Sequence, residues 1–182
     1  MNATTSNGTG STTSGFRCYP VDQAIDIIRT IAEHRWPMSI EEAFSLRDQF
    51  GWTPAPDNGR FFVTPVSNGE EDGSIGRDVS NKMYVSRINF NLTTRVTGDT
   101  NDVFDSSLRS TYLTYVNKLK SIYGVGKVDS DDNVETIIWY LPSRASVDLG
   151  ITKKFISATI ESPEMTDLTE AEEKYFAEGG EF

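Results

Sequence analysis

The sequence predicts an α+β domain: an antiparallel sheet of about five strands with helices packed on one face, and a helix pair at the N-terminus. Three observations carry this. Residues 101–123 hold the longest helical period in the chain, with Phe104, Leu108, Tyr112, Tyr115, Val116, Leu119, Ile122 and Tyr123 recurring at spacings of three and four. Residues 82–96 alternate instead, with Tyr84, Ile88, Phe90 and Leu92 mainly on one side and Asn89, Asn91 and Thr93 on the other. That pattern suits a strand with one wet face, as in an antiparallel sheet covered on a single side. Finally, no strand–helix–strand unit repeats along the chain, which argues against a parallel doubly wound sheet.

The elements follow in order. Residues 1–18 begin MNATTSNGTGSTTSG, a Ser/Thr/Gly-rich arm with almost nothing to bury, and are expected to be disordered. Residues 19–163 are expected to form one α+β domain, and residues 164–182 an acidic C-terminal helix and tail. The first helix covers residues 21–34 and buries Ile25, Ile27, Ile28, Ile31 and Ala32. Arg35, Trp36 and Pro37 break it. Ser39 followed by Glu42 forms a capping box that opens a second helix, which Gly51 ends before Trp52.

Residues 60–65 read as a short strand, residues 67–81 as a long exposed loop, and residues 82–96 as a long strand. The long helix at 101–123 then has Asn101 or Thr100 as its cap and Gly124 at its end. Strands are expected at residues 134–141, 146–151 and 153–162. A short acidic helix begins near Thr169.

Composition bounds the function. The chain has 182 residues, a formal charge of −10 and a pI near 4.6. Such a chain repels nucleic acid and anionic membranes and attracts basic partners. No apolar run reaches the ~18 residues of a membrane span. Cys18 is the one cysteine, so no internal disulfide forms. With no signal-peptide pattern at the N-terminus, these features point to the cytoplasm.

Little in the sequence points to catalysis. One histidine, His34, and one cysteine leave little material for a nucleophile–base pair or a zinc site, and no cofactor or metal is expected. His34 is expected to serve at a helix end. Gly124-Val125-Gly126-Lys127 looks like part of a phosphate loop but follows a helix instead of opening one. The acidic turn at Asp129, Asp131 and Asp132 lacks the glycine and terminal glutamate of a calcium loop.

Binding to another protein is the remaining class. Its candidate contacts are three acidic groups: Glu70, Glu71 and Asp72; Asp129, Asp131 and Asp132; and Glu170, Glu172 and Glu173. Acids so placed would complement a basic partner and speed its association.

The stretches His34-Arg35-Trp36, Ser39-Ile40-Glu41-Glu42-Ala43 and Phe50-Gly51-Trp52, with the closing strands around Trp139 and Phe155, extend over roughly residues 21–162. They resemble a family of small actinobacterial proteins, some of which look like immunity proteins for secreted polymorphic toxins. The resemblance implies a non-enzymatic cytosolic protein that binds a cognate toxin domain and blocks its active site. It carries over no catalytic residues. An acidic secretion chaperone or adaptor holding a secreted client is the alternative, and an enzyme using paired carboxylates is a second.

Overall fold

The computed structural model describes residues 15–181, so the reading of residues 1–14 as disordered lies outside the described residues. Four helices, α1 (Val21–Ala32), α2 (Ile40–Gln49), α3 (Asp102–Tyr123) and α4 (Pro163–Ala177), accompany one antiparallel sheet. The sheet has eight strands, not about five: β1 (Thr53–Pro54), β2 (Phe61–Val63), β3 (Gly73–Arg77), β4 (Val85–Asn91), β5 (Lys127–Ser130), β6 (Glu135–Tyr140), β7 (Ser146–Ile151) and β8 (Ile156–Glu161).

The strand order β1-β2-β3-β4-β8-β7-β6-β5 describes two four-stranded meanders that meet at their last strands. The helix α3 carries the chain from β4 to the far edge, where β5 begins. Every pairing is antiparallel, as expected where hairpins make most of the connections.

Three strands were missed for identifiable reasons. β3 reads GSIGR inside what the sequence marks as a polar loop; its two glycines and its serine hide the period of two. Its pairing with β4 supplies the order. β5 is exposed along its whole length, and β1 is only two residues long. Residues 15–18 also depart from the expected arm. The Arg17 amide donates to Thr94 Oγ1 at 2.8 Å, and Cys18 bridges to Thr93.

The capping box on α2 is present in both directions, between Ser39 and Glu42. Asn101 caps α3 by accepting from the Phe104 amide, and Gly124 ends it at φ +86°. α4 starts at Pro163, six residues before Thr169, because Ser162 accepts from the Met165 amide and proline suits the first turn.

The alternation on each strand sorts side chains into an inner and an outer face. Ile88, Phe90, Val147, Leu149, Ala158 and Ile160 are inner and fully buried. Against them lie α1, which contacts β7 and β8, and α3, which contacts β6 and β7. The stripe on α3 behaves as its period requires: Phe104, Leu108, Tyr112, Tyr115, Val116 and Leu119 are buried, with Ile122 and Tyr123 packed at the margin.

Buried polar tips are satisfied. Tyr112 Oη donates to Leu149 O at 3.1 Å, Tyr115 Oη donates to Tyr19 O at 2.5 Å, and Trp52 Nε1 donates to Tyr19 Oη at 3.0 Å. Trp52 also stacks flat on Phe62, with ring centroids 4.5 Å apart. Phe62 in turn lies directly over Gly73, where an added Cβ would come within 2.0 Å of the ring.

Candidate functional site

The opposite face of the sheet is mostly polar and partly open to solvent: Arg87 and Asp129 are exposed and Asn89, Asp148 and Thr159 half-buried, whereas Ser146 and Asn91, the latter expected to face water, are buried. Its geometry follows from register alone. One row of directly paired residues crosses seven strands: Phe61, Ser74, Asn89, Thr159, Asp148, Ile138 and Lys127. A second row runs Gly76, Arg87, Glu161, Ser146 and Tyr140, and a third runs Asn91, Ser157, Gly150, Thr136 and Asp129. Along β8 burial alternates residue by residue, the inner side chains buried and Ser157, Thr159 and Glu161 half-buried. Water therefore reaches one side of the sheet and is excluded from the other.

Asp148 sits near the middle of this face. Burial pushes its carboxyl up to about 6, and the charges of Glu161 and Asp129 add to the shift. No hydrogen bond or ion pair from the described residues reaches it. The nearest cation in its row, Lys127, lies 4.0 Å from Glu173 of α4. Arg87 stands opposite Glu161 on β4, two strands from Asp148. Asp148 is thus a half-buried carboxylate with two acidic neighbours and no ion pair, its oxygens left to water.

The acidic groups expected from the sequence divide around this face. Glu70, Glu71 and Asp72 lie on the turn into β3. Asp131 and Asp132 lie on the turn between β5 and β6, and Asp129 closes the third row. Both turns stand at one end of the sheet, with β3 and β6 four strand steps, roughly 20 Å, apart.

Glu170, Glu172 and Glu173 ride on α4, tethered at the other end by Arg144 from the β6–β7 turn. The Arg144 guanidinium reaches Asp167 at 2.5 Å and Glu170 at 2.6 Å. Two acids of the first groups have internal duties. Asp72 is half-buried and accepts from the Thr64 amide and hydroxyl, and burial raises its carboxyl. Asp131 accepts from the Asn133 and Val134 amides, which hold it low. The structure thus does not gather the nine acids into one patch. It surrounds with them a face whose own acids, Asp148 and Glu161, went unselected. The strand pattern SVDLGI places Asp148 opposite Val147 and Leu149, but only the pairing of β5, β7 and β8 shows which acids stand beside it.

A second feature lies where α1 turns into α2. A cavity of about 510 Å³ is lined by His34, Arg35, Trp36, Pro37, Tyr84 and Glu164, among others. His34 Nε2 lies 3.6 Å from Glu42 Oε1, so the histidine has an acidic neighbour across the α1–α2 turn. Glu164, at the start of α4, hydrogen-bonds to Asp78. Asp78 is held low by the Asn81 and Ser80 amides, and its hydrogen bond and charge push Glu164 up. The glycines of residues 124–127 have structural duties: Gly124 ends α3, and a Cβ on Gly126 would fall 2.4 Å from Ile137.

Among the described residues no cluster of three or more His, Cys, Asp or Glu side chains could hold a metal ion, and no helix is long and apolar enough to cross a membrane. No curated protein and no solved structure matches the chain. A model for a family of unknown function, DUF6301, matches residues 22–162, which span α1 to the end of β8 and leave α4 outside. With more than half its length matched, the chain belongs to the DUF6301 family.

Proposed function

We propose that the chain acts by binding a partner protein across the open face of its sheet, and that it does so as a cytosolic immunity protein occluding the toxin domain of a secreted effector. The observation that supports this most directly is Asp148, an acceptor without a donor on a face ringed by acids. Native proteins satisfy nearly all buried polar groups. The Asp148 oxygens keep contact with water in the free chain, and a cation from a partner would take the place of that water. A chain of charge −10 favours a basic partner, and toxin domains that act on nucleic acids or nucleotides present cationic clefts.

The test is co-purification with the product of the adjacent reading frame, followed by mass determination and a cell-protection assay. A stoichiometric one-to-one complex, with rescue of cells expressing that product, is expected. No complex and no rescue would remove the reading. A dimer holding an unfolded client would establish the secretion-chaperone role instead.

A second reading, an enzyme working through paired carboxylates, is favoured by one feature, the Asp78–Glu164 pair beside the cavity at Trp36. It predicts that Glu164→Gln abolishes an activity while leaving partner binding intact. Unchanged turnover in that variant would rule it out.

A further inference from the structure

We propose that the depression over β3, β4 and the start of β8, toward one edge of the open face, is a binding site for a neutral oligosaccharide. Asn91 is its central hydrogen-bonding group, and Phe61 and Phe155 are its stacking walls. The site goes beyond the partner-binding reading and does not depend on it.

The depression has a volume of about 460 Å³, within the roughly 300–1,000 Å³ of small-molecule sites. Register builds its floor: Ser74 stands opposite Asn89, and Asn91 opposite Ser157. Asn91 is the deepest of the four. It is 8% exposed, whereas the other three are half-buried. Its backbone amide donates to Asp72 O, but its side-chain amide makes no hydrogen bond with the described residues. The hydroxyls of Ser74 and Ser157 make none either. Asn89 Nδ2 donates to Thr159 Oγ1 at 2.7 Å, and its Oδ1 has no partner among the described residues. Native chains pair nearly all polar groups at the depth of Asn91. An amide that deep, lining a depression and unpaired by its own chain, marks where a ligand's hydrogen bonds fall.

The donor set selects the ligand. The floor offers neutral groups, and the Asn91 amide both donates and accepts. A guanidinium or ammonium has donors alone and would leave the Asn91 N–H groups unmet. A carboxylate or phosphate has acceptors alone, and it would also meet Glu70 and Glu71 at the rim, with Arg95 the cation among the lining residues. Hydroxyl groups donate and accept at once, so a polyhydroxylated ligand satisfies every position. A peptide has both functions too, but β3, β4 and β8 have strands on both sides. An extended peptide therefore cannot add here as a further strand.

The walls agree with this choice. Phe61 on β2 is 40% exposed. Phe155, just before β8, is half-buried, with the Arg95 guanidinium 5.2 Å from its ring centroid. β2 and β8 stand three strand steps, roughly 14 Å, apart. The two rings thus bracket an elongated ligand lying across the floor. A pyranose ring has an apolar C–H face for the aromatic surfaces and hydroxyls at its edge for the amides and serines.

The experiment titrates the isotope-labelled full chain with maltotriose, cellotriose and chitotriose, following backbone and asparagine side-chain amide shifts. Wild type, Asn91→Ala and Phe61→Ala are compared, and a neutral glycine–serine peptide is titrated alongside. The expected result is saturable shifts at residues 73–74, 89–91 and 155–157 with at least one trisaccharide, at a Kd of about 1 mM or tighter. Asn91→Ala should weaken binding about tenfold and Phe61→Ala about fivefold, with the rest of each spectrum unchanged as proof of folding. No saturable shift with any of the three sugars would overturn the proposal, as would undiminished affinity in both variants. Equal shifts with the peptide would replace it with a peptide groove. If the adjacent reading frame's product binds while no sugar does, the proposal fails and the partner-binding reading stands; if a sugar binds and that product does not, the reverse holds.

Discussion

At Asp148 a group that prefers water is held where neighbouring side chains displace much of it, and the cost is legible as pH dependence. Its folded carboxyl titrates at about 6, whereas an unfolded aspartate titrates near ~3.9. Ionised Asp148 therefore opposes folding. The penalty is absent below about pH 4, grows between about 4 and 6, and is complete above 6. Asp148→Asn should raise stability at pH 7.5 by about 1–2 kcal/mol, a value reduced by solvent screening at a partly open site, and should bring no gain at pH 4. Urea titrations at the two pH values check this. Gly73 is constrained for a different reason. Its missing side chain makes room for the Phe62 ring, itself stacked on Trp52. Gly73→Ala forces that ring to move and should cost about 1–3 kcal/mol in the same measurement.

Among the elements, α3 is the most legible in the sequence and the strands β3 and β5 the least. The six buried residues of α3 all lie on the stripe that its period defines, and Asn101 and Gly124 mark its ends as their chemistry requires. Period and caps are local properties, so a sequence displays them. β3 and β5 have no such signature. Glycine and serine give β3 no apolar alternation, and β5 buries nothing, so each is a strand only because its neighbour offers hydrogen-bond partners. The acidic groups were visible as composition, but the places of Glu70 and Asp129 relative to Asp148 depend on register between strands distant in sequence.

α4 is unusual in how it is held. Thr166 is its one buried residue, while Leu168 and Tyr175 are half exposed. Its ties include the Arg144 bridges to Asp167 and Glu170, the Glu164–Asp78 hydrogen bond and the longer Lys127–Glu173 pair. Arg144 itself sits at φ +74°, a conformation that favours glycine. Arg144→Gly should therefore leave global stability within about 0.5 kcal/mol, because relief of backbone strain offsets the lost surface pairs. It should nevertheless speed amide exchange in residues 163–177 alone. Unchanged exchange there would show that other contacts hold the helix.

Across the whole molecule, two meanders joined at β4 and β8 make a sheet wide enough to have two distinct faces, one under α1 and α3 and one left to solvent. The family match runs from residue 22 to residue 162 and so takes in both meanders and the open face but not α4. On the proposed reading this face, and not the helical layer, meets the partner. Carboxyl footprinting of the complex with the adjacent reading frame's product tests it most directly, since acids lie on both sides of the molecule. Binding through the open face should protect Asp129, Asp148 and Glu161 from labelling while Asp22, Asp26 and Glu41 on the helices stay reactive. Protection of the helical acids, with Asp148 and Glu161 labelled as in the free chain, would contradict it.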